Sequence, residues 1–181
     1  MSITTRTGDQ GLTGLLYGQR VPKDHPQIEA VGAFDQLNVE TGAARMASPD
    51  GGVRLLLADV QRCLVALMGE VSAAEADAER HAKSGFARLK EEDLQVLDRA
   101  IADLESKGVR LDGWATPGSN SISLSFDRAR IAARTAERRL AAVVSAGRTP
   151  RPLLLQWTNR LSDLLWLLAR EADSRAKDGG A

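Results

Sequence analysis

Two short stretches of this chain combine residue types that can hold a polyphosphate. The first is Thr5-Arg6-Thr7-Gly8-Asp9-Gln10-Gly11-Leu12-Thr13-Gly14, followed by Lys23. Glycines let backbone N–H groups converge on phosphate oxygens, threonine hydroxyls add donors, and Lys23 supplies a point charge. It is not a Walker A loop, because no GK[ST] is present, nor a GxGxxG turn after an apolar strand. Taken alone, such a terminus is more often a flexible tail. The second stretch carries Asp127, Arg130, Arg134, Glu137 and Arg138 at spacings of three and four, which places them on one helical stripe. Alternating signs at that spacing also describe a solvated helix face.

A third group lies near the end of the chain, where Thr158-Asn159-Arg160-Leu161-Ser162-Asp163 interrupts a leucine-rich run. Asn159 and Asp163 fall one turn apart and read as neighbours of the core. A buried donor or acceptor without a partner costs about 1–3 kcal/mol, so these residues are expected to serve as structural pairs or ligand contacts.

The elements that must position these groups are helical. Residues 1–26 lack a sustained helical or strand period and are expected to form a loop. Ile28, Val31, Asp35 and Asn38 share a face of a helix predicted over 27–46, with Pro26 near its start. After the turn Ser48-Pro49-Asp50-Gly51-Gly52, the apolar series Leu56, Val60, Leu64 and Leu67 predicts a helix over 52–70. Residues 71–89 are ambiguous. Leu94, Leu97, Ile101 and Leu104 predict a helix over 90–107 ending before Gly108. The segment holding Trp114, Pro117 and Gly118 breaks the pattern, and Asn120 or Ser121 can cap the next helix, which runs to about 146. A last helix carries Leu154, Trp157, Leu161, Leu164, Leu165 and Leu168. The expectation is an all-α, five-helix bundle with an extended N-terminal nucleotide-binding loop, as a single domain over 1–181: loop 1–26, bundle 27–177.

Composition narrows the partners. Lys plus Arg number 24 and Asp plus Glu number 24, so no global field favours nucleic acid or an anionic membrane, and any polyanion site must be local. The single cysteine, Cys63, excludes an intrachain disulfide and is expected in the core of a protein from a reducing compartment. No apolar run approaches the roughly 20 residues of a membrane span, and the polar start lacks the apolar block of a secretory signal, so a soluble cytoplasmic protein is expected. Di-iron bundles use inward Glu-x-x-His pairs, and none occurs here. His25 and His81 fall in predicted loops and are expected at the surface. Glu40 and Glu70 can line a bundle interior, but two isolated acids define no site, and the metal ligands stay unassigned.

Across nearly its whole length the chain resembles the PduO-type ATP:cob(I)alamin adenosyltransferases. Four motifs carry the resemblance, in order and at similar separations: TRTGDQGLTGLLYGQRVPKD, AVGAFDQLN, RTAERR and NRLSDLLWLLAR. The resemblance implies transfer of the 5′-deoxyadenosyl group of ATP to cob(I)alamin, giving adenosylcobalamin and tripolyphosphate, with Mg2+ accompanying the nucleotide. It implies ATP contacts from Thr5, Arg6, Thr7, Gly8, Thr13, Gly14 and Lys23 in the loop, and from Arg134, Glu137, Arg138 and Asn159 in the bundle. Catalytic roles fall to Arg130, Arg134 and Asp35, with Arg130 paired to Asp35 across a subunit boundary of a homotrimer. Trp114 stands at the distance where the family places an aromatic, usually phenylalanine, beside the corrin. A cobalamin reductase or an adenosylcobalamin-dependent enzyme would be a further partner.

Departures from the pattern are specific. Thr135 stands where relatives commonly carry a second adjacent arginine, and Gly14 where a serine or threonine is common. The Thr135 and Trp114 departures motivate a rival reading, a noncatalytic relative that binds ATP or delivers finished adenosylcobalamin. A purely structural bundle is the third reading, disfavoured by the polar groups Asp35, Asn159 and Asp163 beside a core. Since Co(I) is itself a strong nucleophile, the absence of a Ser-His-Asp or Cys-His arrangement does not count against an enzyme.

Overall fold

A computed structural model describes residues 4, 6–108 and 115–178. Five long helices dominate: α1 (Pro26–Ala47), α2 (Gly51–Ser72), α4 (Glu91–Ser106), α5 (Ser121–Ser145) and α6 (Pro152–Asp178). Each begins or ends within one or two residues of the boundaries its apolar period predicts where those were set.

Caps explain the starts. Pro26 occupies the first turn of α1, where its missing N–H costs nothing, and the His25 side chain accepts the Gln27 N–H. Asp50 accepts the Val53 N–H at the head of α2, and Asn120 accepts the Ser123 N–H at 2.8 Å at the head of α5. The Asp50 carboxyl is held below the usual range chiefly by that Val53 N–H.

Packing follows the apolar spacing. Phe34, Leu37, Leu57, Leu64, Leu140, Trp157, Leu161 and Leu164 are fully buried in one core. The buried face of α5 carries Ala129, Ala132, Ala133 and Ala136, whose small side chains let α1 and α6 approach closely. Neighbours run in the order α2, α1, α5, α6, α4. Ion pairs Glu29–Arg139 and Glu40–Arg128 fix α1 antiparallel to α5. Asn159–Glu137 and Arg170–Asp127 do the same for α5 and α6.

One end of the bundle is stitched by side chains. Glu70, near the end of α2, accepts the Nε and an Nη of Arg151 at 2.8 and 2.7 Å and the Leu89 N–H at 2.9 Å. Gln27 Nε2 and Arg148 Nη1 both donate to the carbonyls of Val71 and Ala73, satisfying the open end of α2.

The structure corrects the sequence reading in three places. The N-terminal segment is not strand-free: β1 (Leu12–Gly14) pairs antiparallel with β2 (Arg20–Pro22), Thr13 opposite Val21. Gly18, with φ of 93°, closes the turn in a conformation that favours glycine. Leu15 and Val21 pack with Ala74 and Ile28, and the Leu16 N–H donates to the Ser72 carbonyl, so the hairpin is seated on the α2 terminus.

Secondly, His81 is not a surface residue. It lies on α3 (Ala78–Ala82), is 3% exposed, stacks on Phe86, and has its Nδ1 3.2 Å from the Tyr17 hydroxyl of the hairpin. Thirdly, Asp35, Asn159 and Asp163, read as lying beside the core, are exposed in this chain. Cys63 is only partly buried and packs against the core edge. Burial, then the nearby Asp93 carboxylate, pushes its thiol up to about 12, which removes it as a nucleophile near neutrality.

Candidate functional site

The site residues form two groups. On α5, Arg134 is exposed and makes no hydrogen bond or ion pair with the described residues. One turn on, Arg138 donates to the Thr135 hydroxyl at 3.1 Å, and Thr135 in turn donates to the Ile131 carbonyl. Thr135 therefore braces the cation beside it, where a second arginine would add charge. Glu137 accepts the Asn159 side-chain amide at 3.0 Å, which links the α5 stripe to α6. This pair brings together two residues that the motifs place 22 apart in sequence.

Arg130 sits half-buried in the same row. Within the chain its Nε donates to Asp127 at 2.9 Å rather than to Asp35. Asp35 is exposed on α1, and the register of the Glu29–Arg139 and Glu40–Arg128 pairs sets it abreast of the α5 turn that carries Arg134. Sequence reasoning listed Asp127 in the stripe but missed its second partner, Arg170, whose Nη2 donates to it at 2.5 Å. The signal was the arginine closing the NRLSDLLWLLAR motif.

The second group is the N-terminal loop. Its backbone is folded back on itself: Asp9 N–H donates to the Arg6 carbonyl, Gly11 N–H to Gly8, and Lys23 N–H to Gly11 at 2.9 Å. Arg6 holds a left-handed φ of 58°, unusual for a residue with a side chain. The Lys23 ammonium lies so close to Gly8 that a Cβ there would be 3.2 Å from Nζ. Arg20, which the motif reading did not single out, donates to the carbonyls of Thr7 and Leu12 and pins the loop to the hairpin. Thr13 and Gly14 sit in β1, paired with Val21 and Arg20. Thr5 and Trp114 lie outside the described residues.

The two groups occupy the same end of the bundle, since the hairpin seats on the terminus of α2 beside the start of α1, toward which the Arg138 end of α5 points. No hydrogen bond or ion pair among the described residues joins residues 6–24 to α5. Among the described residues there is also no group of three or more His, Cys, Asp or Glu side chains able to hold a metal ion. No helix of the described residues is long and apolar enough to cross a membrane.

A glycine-rich hairpin seated at one end of a five-helix bundle, with a row of cations running toward that end on an outward face of α5, defines a helical-bundle protein. A family model, cobalamin adenosyltransferase, matches residues 3–172. The chain is 36% identical over 177 residues to the corrinoid adenosyltransferase PduO of Salmonella typhimurium, covering 97% of this chain but 51% of that protein. It is 34% identical over 174 residues to a corrinoid adenosyltransferase of Citrobacter freundii, covering 93% of each. The chain thus spans about half the length of the PduO proteins and nearly all of the shorter relative. A variant of the PduO-type ATP:corrinoid adenosyltransferase of Lactobacillus reuteri, solved with cobalamin and ATP, shares the fold with a TM-score of 0.84 at 24% identity, over 97% of this chain and 93% of that one. The chain belongs to the cobalamin adenosyltransferase family.

Proposed function

We propose that this chain transfers the 5′-deoxyadenosyl group of ATP to cob(I)alamin. The Co(I) electron pair forms the bond to C5′, the C5′–O bond breaks, and its electrons leave on tripolyphosphate. Because the nucleophile is the corrinoid's own metal, the protein's task is to align and to neutralise. One observation supports this most: Arg134 stands exposed and unpaired among the described residues, with Arg138 and the Glu137–Asn159 pair beside it. An exposed guanidinium with open donors, on a rigid helix, suits the charge that develops on a leaving triphosphate.

In this reading Thr5, Arg6, Thr7, Gly8, Thr13, Gly14 and Lys23 close over the phosphates. Mg2+ would be carried mainly by the phosphate oxygens, in keeping with its preference for few protein ligands. It would supply further neutralisation there.

The site is completed by a neighbouring copy in a homotrimer. Asp35 shares its α1 face with Val39 and Met46, 67% and 84% exposed, and Ile131 on α5 is 54% exposed. Such a band of apolar side chains around a carboxylate with no partner among the described residues fits an interface in which Asp35 meets Arg130 of the next copy. Trp114 would form the apolar wall against the corrinoid.

The test is direct. Purified protein with ATP, Mg2+ and chemically generated cob(I)alamin should yield a light-sensitive alkylcobalamin with release of tripolyphosphate. ATP binding without any cobalt–carbon bond would favour the carrier reading instead. A second expectation concerns the loop. Gly8→Ala forces the flexible end of Lys23 aside, so the Michaelis constant for ATP should rise several-fold while the unfolding temperature stays put. Steady-state rates over an ATP series, beside a melting curve, check both halves.

A further inference from the structure

Asp127 is 2% exposed, and both its oxygens are engaged. Oδ1 accepts Arg130 Nε at 2.9 Å, and Oδ2 accepts Arg170 Nη2 at 2.5 Å. Arg170 is itself buried, with Asp173 3.4 Å from the same nitrogen and the Trp166 ring 5.9 Å away. Arg130 differs from this pair in reaching the surface, with 22% of its side chain exposed. Only its Nε is taken, and its two Nη groups have no partner among the described residues. It lies one turn before Arg134 on the same face.

We infer that Asp127 and Arg170 are positioning residues for Arg130. An arginine side chain has many rotamers, and fixing its terminal fork in one of them costs entropy each time a ligand or partner is engaged. A carboxylate held at Nε removes that freedom in advance and leaves the two Nη groups for an incoming carboxylate or phosphate. Asp127 can do this only if it cannot swing away. Arg170, locked in the core by Asp173 and Trp166, is what holds it. The chain of contacts runs from the core of α6, through a buried carboxylate on α5, to a cation at the surface. The functional weight of Arg130 rests on the reading given above; the positioning itself does not.

The experiment compares Asp127→Asn, Asp127→Glu, Arg130→Lys and the double variant Asp127→Asn/Arg130→Lys, well below their melting temperatures. Two readouts are taken: kcat and KM for ATP, and the solvent exchange of the Arg130 Nε–H followed by nitrogen-15 NMR. In the parent protein that proton should be protected. Asp127→Asn should abolish the protection and lower kcat/KM by about tenfold to a hundredfold, as expected when a catalytic group shifts by around 1 Å. Asp127→Glu should restore part of both. In the Arg130→Lys background, Asp127→Asn should cost nothing further in rate. An unprotected Nε–H in the parent protein would overturn the inference, even if every variant failed to fold. So would an Asp127→Asn protein that melts earlier but keeps the parent kcat and KM while Arg130→Lys loses activity, or an equal loss in both backgrounds. If Arg130→Lys is fully active while the Nε–H protection behaves as described, the positioning stands and the assigned role of Arg130 falls.

Discussion

Arg134→Ala is expected to lower kcat/KM for ATP by about a hundredfold with no change in unfolding temperature. The two halves come from one observation, that Arg134 is exposed and bonded to nothing among the described residues. An exposed side chain that makes no hydrogen bond or ion pair with the described residues has little to withdraw from stability, and surface substitutions of that kind stay within about 0.5 kcal/mol. A charge-assisted hydrogen bond to a phosphate contributes about 1.5–3 kcal/mol, and loss of a donor aimed at developing negative charge costs about 10²–10³ in rate. Arg134→Lys should recover part of the loss, because a point charge remains but the paired donors do not. Initial rates against ATP concentration settle it. A wild-type rate in the alanine variant would remove the α5 row from the catalytic account.

The largest effect on stability should come from a residue outside that row. Glu70 is 9% exposed and is the acceptor around which Arg151, Arg88 and the Leu89 N–H converge. Alanine there leaves two guanidinium groups facing each other and a buried N–H without an acceptor. Breaking a buried pair costs about 3–5 kcal/mol; both arginines are about one-third exposed, so the lower end applies. At about 2–4 °C per kcal/mol for a chain of this size, the unfolding midpoint should fall by about 10 °C. Glu70→Gln keeps acceptor capacity and should fall less. A scan in which the alanine variant melts within a degree or two of the parent would show that this stitched end contributes little.

How far the sequence disclosed this molecule depended on what each residue reports. Leu56, Val60, Leu64 and Leu67 announce α2 because a period of 3.6 is a property of the segment itself. The hairpin left no such trace. Strands of three residues are too short for an alternating pattern, and Leu12–Gly14 and Arg20–Pro22 are held by Leu15, Val21 and Ala74, contacts that join distant parts of the chain. His81 was misplaced for the same reason, since its burial depends on Tyr17 and Phe86.

The candidate site divided similarly. The row Asp127, Arg130, Arg134, Arg138 is visible as spacing within one helix, and the motif resemblance implied a role for it. Which of those side chains meets the core was not visible. Asp127 is buried because Arg170 on α6 comes opposite it, whereas Asp35 is exposed because nothing among the described residues covers that face of α1. Periodicity names a face; only the neighbour decides whether the face is wet.

The seat of the hairpin has a thermodynamic consequence. Its three-residue strands hold little free energy of their own, and among the described residues its attachment to the bundle is a cluster of four side chains, one backbone hydrogen bond, the Tyr17–His81 contact and the Arg80 guanidinium over the Tyr17 ring. The core, by contrast, unites all five long helices. Opening of the strap is therefore a sub-global event, reachable at a small fraction of the energy needed to melt the protein, and it leaves the scaffold that carries the α5 cations undisturbed.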